Sequence, residues 1–271
     1  MNSREPGRSR NSEQDPENPS GSDVGVMIKG KVYPYVEKNP LDAIALNGFN
    51  LGIAVGLAMG LLTYTFFKNF NVYVLAISIF HFLEFFVTAR FNPGKVTSDS
   101  FLFNNGKAYI FSHLFAMTEA LVQCLFFPRW KSSFYSKAHL IISLLGFLLI
   151  IMGQYVRTMA MVTAGKSFSH HVKQTRNSDH VLVTTGIYGW FRHPSYFGYF
   201  WWALGTQLWL LNPLSFVMFA VVLWRFFDAR IEYEERYLVA FFGLSYKDYT
   251  TKVGTGIPFV HSNSKPSSHL R

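Results

Sequence analysis

"HPSYFGYFWWALGTQLWLLNPLSFVMFAVVLWRFF" (residues 193–227) holds two apolar, aromatic-rich runs, 196–211 and 214–227, on either side of Asn212-Pro213. Each run is near or below the ~17 residues a helix needs to cross a bilayer. A tight Asn-Pro turn between two such helices predicts a hairpin whose ends need support from neighbouring helices. Arg192, His193 and Pro194 crowd its mouth. A segment meant only to cross a membrane has no need of a guanidinium, an imidazole and a helix-breaker at that point. Pro194 disfavours helix at His193 and starts the next helix, where its missing N–H is no loss. The amide donors just beyond are unpaired, and the helix dipole favours negative charge there. The element reads either as a site for a carboxylate or phosphate, or as an arginine anchored in headgroups beside a capping histidine.

The rest of the chain agrees with a membrane setting. Of 271 residues, 49% are hydrophobic, 18% aromatic and 15% charged, against about a quarter charged in soluble domains. The 28 Phe and six Trp fit lipid-facing helices with interfacial aromatic belts. Four more apolar spans precede the hairpin, at 41–67, 72–89, 108–127 and 138–155, the last extending as helix toward Ala164. Residues 68–71 read as a minimal turn, Asn92-Pro93-Gly94 marks a turn in the polar loop 90–107, and Pro128-Arg129 stops the third span. With six spans, both tails and the loops 90–107 and 165–192 share one side. Of the 25 Lys and Arg, only Lys68, Arg129, Lys131 and Lys137 fall opposite. Positive charge is retained on the cytoplasmic face, so both termini are expected in the cytosol.

The first 25 residues, "MNSREPGRSRNSEQDPENPSGSDVG", have almost nothing to bury and read as disordered. They lack the apolar core of a cleavable signal peptide, so the first span must direct insertion. The C-terminal "HSNSKPSSHLR" (261–271) is a second polar tail without a lipidation or retrieval signal. The organisation expected is a polar tail at 1–30, N-terminal transmembrane helices at 31–164, a core at 165–260 and the tail at 261–271. The formal charge of +9 is dispersed among hydrophobic spans, and no nucleic-acid-binding signature accompanies it. The single cysteine, Cys124, excludes an intrachain disulfide or a thiolate metal cage.

Four features gather on the cytosolic side: "GKSFSHHVKQ" (165–174), "DHVLVTTGIYGWFRHPSY" (179–196), "RFFDARIEYEERY" (225–237) and "KVGTGIPFV" (252–260). In the third, Arg230 and Glu234 are four apart and share a helix face, to which Tyr237 adds a turn. Asp228, Glu232 and Glu235 form a different stripe, with Arg236 within reach of Glu232. Either this is a solvated, self-paired helix end, or the charges face a cavity, since ionisable residues at a membrane hairpin are costly otherwise. His170, His171, His180 and His193 lack the spacing of a helical zinc pair, so no metal site is expected. "HVLVTTGIYGWF" (180–191) reads as an extended segment beside a planar ligand or as an amphipathic connector.

"HVLVTTGIYGWFRHPSYFGYFWWALGTQLWLLNPLSF" (180–216) followed by "LWRFFDARIEYEERYLVAFFGLSYKDYTTKVGTGIPF" (223–259) resembles the isoprenylcysteine carboxyl methyltransferase family. The resemblance runs from about 164 to 260, in order, gaps and hairpin turn. It implies an all-α polytopic membrane protein of about six transmembrane helices, with the Asn-Pro hairpin and cytosolic cofactor-binding segments, in the endoplasmic reticulum membrane. The implied reaction is methyl esterification, from S-adenosylmethionine, of the C-terminal carboxylate of a farnesyl- or geranylgeranyl-cysteine on processed CaaX proteins. The family's cofactor contacts fall on His180, Val181, Leu182 and Val183, on Tyr188, on His193, Pro194, Ser195 and Tyr196, and on Glu234. Its glutamine before this segment falls on Gln174. Arg230 matches an arginine associated with the prenylcysteine and is the candidate catalytic and substrate-binding residue. The prenyl tail would enter sideways between helices from the lipid. Phospholipid N-methyltransferases and NADPH-dependent sterol reductases share an RHP-like element and are the alternatives; the "RIEYEERY…GTGIPF" ending favours the carboxyl methyltransferase.

Overall fold

The computed structural model describes residues 26–34, 39–63, 68–176 and 180–260. The tails expected at 1–25 and 261–271 lie outside them. The helices are α1 Leu41–Leu61, α2 Lys68–Phe91, α3 Lys107–Phe126, α4 Lys137–Ala164, α5 Pro194–Leu210, α6 Pro213–Phe242 and α7 Leu244–Lys252. The first four are long and apolar enough to cross a membrane. At about 1.5 Å per residue, the 17 residues of α5 reach about 25 Å. The 30 residues of α6 continue past its apolar half into the charged stretch without a break.

The chain packs around α5. This helix is apolar on all sides, and most of its side chains are buried, Trp202, Ala203, Thr206 and Gln207 almost completely. Its closest neighbour is α4, and glycines decide how close. A Cβ on Gly153 would lie 2.5 Å from the carbonyl of Gly198, and one on Gly198 would lie 2.7 Å from the carbonyl of Gly153. Gly146 and Gly205 repeat the reciprocal arrangement farther along the same seam. Small residues let helix backbones meet in lipid, where burial of apolar surface gives little drive for association.

Only α5 of the pair is short, since α6 runs far past the 214–227 stretch expected for it, and the α5–α6 turn is capped from α3 and the 127–136 loop. The Lys131 ammonium donates to the carbonyls of Leu210 (2.7 Å) and Leu211 (3.1 Å) and to Asn212 Oδ1, closing the C-terminal end of α5. The Glu119 carboxylate, from α3, accepts from the Leu214 (3.1 Å) and Ser215 (2.7 Å) amides at the start of α6. A cation at one helix end and an anion at the other both match the helix dipoles.

Three expectations change. Residues 68–71 are the first turn of α2 rather than a loop, because tertiary bonds hold them. Asn69 Nδ2 donates to the Trp209 carbonyl (2.8 Å), and Trp209 Nε1 donates back to the Asn69 carbonyl (2.9 Å). The first span ends as helix at Leu61, with Leu62 and Thr63 in a turn and 64–67 outside the described residues. Finally, β1 Val26–Ile28 pairs antiparallel with β2 Lys31–Tyr33, so an otherwise helical chain carries a small hairpin partly inside the stretch assigned to the polar tail. Its turn places Lys29 and Gly30 at positive φ.

Loops 90–107 and 165–192 meet at one end of the bundle, where Asn92 Nδ2 donates to the Phe168 carbonyl (3.0 Å) and Lys95 Nζ to the Lys166 carbonyl (2.5 Å). The four chemistry-bearing segments lie at this end.

Candidate active site

Two ion-pair clusters anchor the start of α5. Behind it, Glu84 of α2 and Arg157 of α4 form a buried bidentate pair, Nη2 to Oε2 at 2.9 Å and Nε to Oε1. Arg157 Nη1 also donates to Ser195 Oγ (3.0 Å) and to the Ser195 carbonyl (3.2 Å), while His170 Nε2 sits 3.0 Å from Glu84 Oε2. A buried pair is tolerable only with its hydrogen-bonding capacity filled, and here two further elements help fill it. The sequence reading passed over Glu84 and Arg157. A lone acid and a lone base inside apolar spans were the available signal.

In front, Arg192 and His193 do hold a carboxylate, and it is the chain's own. Glu235 Oε1 accepts from Arg192 Nε at 2.6 Å and lies 3.0 Å from His193 Nε2. Arg192 is gripped further by the 252–260 segment: Nη1 donates to the Val253 carbonyl (2.9 Å) and its amide to the Gly254 carbonyl (3.0 Å). That segment turns back at Gly256, whose φ of +74° excludes most side chains and where a Cβ would strike the Phe191 and Phe197 rings at 2.6 Å. The stripe Asp228, Glu232 and Glu235 is thereby split: Glu232 is exposed, Asp228 half-buried and Glu235 buried.

Between these clusters opens a cleft of about 680 Å³, part of it open to solvent. His180, Val181, Leu182, Val183, Tyr188, His193, Pro194, Ser195, Tyr196 and Glu234 line it. Gln174 does not; its amide donates outward to Tyr233 Oη at 2.8 Å. Arg230 lies on the far side of Tyr196, in a neighbouring cavity of about 500 Å³ with Arg157, His170, Ser195 and Phe226. Arg230 and Glu234 do not pair with each other. The Tyr196 hydroxyl stands between them, donating to Glu234 Oε2 (2.6 Å) and accepting from Arg230 Nε (2.8 Å). Arg230 Nη2 donates to the His170 carbonyl (2.6 Å), and the guanidinium lies over the Tyr196 and Phe226 rings. A third, mostly apolar cavity of about 570 Å³ shares Asn105, Tyr199 and Phe226 with the second. It lies between α3 and α6, with His113 and Phe219 among its lining.

Tyrosines wall the cleft. Burial, then the Glu234 charge, raises the Tyr188 phenol well above its ordinary value. Burial does the same to Tyr249, and to Tyr246 with help from Glu235 and Glu234. All three stay neutral donors near neutral pH. Tyr249 Oη donates to the Tyr188 carbonyl (2.5 Å), joining α7 to the 186–189 turn. Among the described residues, no group of three or more His, Cys, Asp or Glu is arranged to hold a metal ion.

The isoprenylcysteine carboxyl methyltransferase (ICMT) family model matches residues 144–240, the stretch that supplies most of the cleft lining. A protein-S-isoprenylcysteine O-methyltransferase of Saccharomyces cerevisiae is 55% identical over 84% of this chain and 95% of its own length. One from Schizosaccharomyces pombe is 50% identical over 68% of this chain and 81% of its own. The chain belongs to this family. Its fold superposes on a solved eukaryotic intramembrane Ras methyltransferase, an isoprenylcysteine carboxyl methyltransferase, with a TM-score of 0.76 and 37% identity. That match covers 81% of this chain and 77% of the other. As a methyltransferase of this family, the chain needs a place for a methyl donor and a place for its isoprenylcysteine acceptor.

Proposed function

We propose that this enzyme methylates the C-terminal α-carboxylate of a prenylcysteine on processed CaaX proteins, using S-adenosylmethionine. The observation that carries the reading is Arg230, which makes no ion pair among the described residues. It sits between a polar cleft and an apolar cavity, where a cation without an anion is costly. A carboxylate carried on a prenyl tail satisfies both neighbours: the tail fills the cavity between α3 and α6, and the acid meets Arg230. Farnesyl and geranylgeranyl chains are both substrates in this reading.

The cleft suits the donor. Glu234 offers a carboxylate to an amino group, and the aromatic walls accommodate a cation. S-adenosylmethionine, when bound there, supplies an electrophilic methyl group on a sulfonium. His180, Val181, Leu182, Val183, Tyr188, His193, Pro194, Ser195, Tyr196 and Glu234 would hold it. The acceptor needs no general base, because an α-carboxylate with a pKa of about 3.5 is ionised at neutral pH. Alignment therefore supplies most of the acceleration, for which effective molarities of about 10⁵ M or more are available. Arg230 presents a planar fork to the carboxylate, and its bonds to Tyr196 and His170 fix the angle of that fork. Glu84 and Arg157 position Ser195, and Glu235 positions Arg192 and His193.

In the endoplasmic reticulum membrane, α5 and α6 would complete six spans, with the cleft and both termini facing the cytosol. The test is transfer of labelled methyl to N-acetyl-S-farnesylcysteine as base-labile ester. Arg230→Lys, which keeps the charge and loses the fork, should lower kcat/KM by about 100-fold. Label in phosphatidylethanolamine, or sterol-dependent NADPH oxidation, would replace this reading with one of its alternatives.

A further inference from the structure

We propose that Trp190 and Phe259 form an aromatic pair that enters the headgroup boundary of the bilayer and sets the depth of the cleft. This rests on the reading of α5 and α6 as membrane spans. Both side chains stand out from the protein, Trp190 at 77% and Phe259 at 81% exposure. They belong to two segments that run side by side. The Arg192 amide donates to the Gly254 carbonyl (3.0 Å) and its guanidinium to the Val253 carbonyl (2.9 Å), and Gly256 lies against the Phe191 and Phe197 rings. A tight turn follows, in which Thr255 Oγ1 donates to the Val260 carbonyl (3.1 Å) and the Val260 amide to the Ile257 carbonyl (3.3 Å). It buries Ile257 and Val260 in the core built by α5 and α6. Phe259, between them, has a φ of +61°, a left-handed conformation that is uncommon for a bulky residue. The turn thus accepts backbone strain and aims an apolar ring outward, where water offers it no burial.

The length of α5 identifies what the rings meet. At about 25 Å this helix is shorter than the ~30 Å hydrocarbon layer, so residues just before its start stand at the membrane boundary. Trp190 lies four residues before Pro194, and the segment carrying Phe259 is bonded alongside. Aromatic rings concentrate at this depth, where one side of the ring meets hydrocarbon and the other meets water. Lys252, exposed at the end of α7 just before that segment, complements lipid phosphate. An acceptor anchored by its own lipid presents its carboxylate near the same boundary, and rings fixed there hold Arg230 at that level.

The experiment places a spin label at Trp190→Cys or Phe259→Cys in the full chain carrying Cys124→Ser, in nanodiscs of phosphatidylcholine and phosphatidylserine. Power saturation compares collisions with oxygen, which partitions into lipid, and with a water-soluble nickel chelate. Val221→Cys, on an exposed position midway along the apolar half of α6, is the lipid reference, and the exposed Lys247→Cys is the water reference. The oxygen-to-nickel ratio at 190 and 259 should lie between those at 247 and 221. A ratio equal to that at 247 overturns the proposal, and so do labels shielded from both reagents, as under a protein partner. A water-like ratio at 221 as well overturns the reading of α6 as a span. The native ring is read without a label: phosphatidylcholine brominated near the headgroup should quench a larger fraction of tryptophan fluorescence in wild type than in Trp190→Phe. The reverse order puts Trp190 in water and overturns the proposal.

Discussion

Tyr196 is touched by both charged residues of the proposed site, and one oxygen does the joining. It donates to Glu234 and accepts from Arg230, so the hydroxyl fixes the donor cleft relative to the acceptor cavity. Tyr196→Phe keeps the ring under the guanidinium and removes both bonds. Each is a hydrogen bond to a charged group worth about 1.5–3 kcal/mol. Steady-state assays of methyl transfer should show kcat reduced by about 10- to 100-fold, with the melting midpoint lowered by a few degrees as the two bonds are lost; unchanged kcat would leave the hydroxyl without a catalytic part. Adjacent positions differ sharply in how readable they were. Glu234 shares a helix face with Arg230 four residues away, and spacing alone puts the two together. Glu235 lies on the next stripe, and spacing leaves it in solvent. It is buried because Arg192 and His193 cover it, and Arg192 is held in turn by carbonyls of the 252–260 segment. No local pattern encodes that cover.

Helices were legible from composition, and their closeness was not. The apolar spans, the Asn-Pro turn and the Pro194 start are local signals, and the structure has α5 and α6 where they fall. The α4–α5 seam depends on Gly146 and Gly153 facing Gly205 and Gly198 across more than forty residues of chain. A glycine in an apolar span shows neither its partner nor its distance. Gly153→Leu would drive a side chain into the Gly198 carbonyl and Trp202 amide, at 2.5 and 2.6 Å already for the Cβ. The helices must then part, displacing Arg157 from Ser195 and the cleft with it. Thermal unfolding in detergent should show loss of a cooperative transition; a midpoint within a few degrees of wild type would mean the seam is not required. The caps of the α5–α6 turn follow the same logic. Lys131 and Glu119 lie outside the two helices whose ends they cap, so only the folded chain reveals what supports the turn at Asn212.

The whole molecule sets a polar cleft beside a mostly apolar cavity, and two measurements address that assembly. Tyr188, Tyr246 and Tyr249 all have phenols raised by burial above their ordinary value of 10. The folded form keeps these protons at a pH where the unfolded chain releases them. Stability is therefore full below about pH 10 and falls as pH rises beyond it. Ultraviolet titration should show these tyrosines ionising only as the fold is lost, after the exposed ones. Sidedness can be read with single cysteines in a chain carrying Cys124→Ser. Lys247→Cys, in α7 beside the cleft, should react with an impermeant maleimide applied to sealed microsomes, whereas Arg129→Cys should react only after permeabilisation. Both positions are exposed, and the opposite pattern would invert the topology. Composition and local signals were enough to point to a helical membrane protein, the turn at Asn212-Pro213 and the segments that meet at one end, because those are properties of neighbours along the chain. The tertiary structure alone decided which charge answers which. Glu84 finds Arg157 across 73 positions and Arg192 finds Glu235 across 43. A charge withdrawn from water takes the partner that packing brings within reach, and packing is a property of the whole chain.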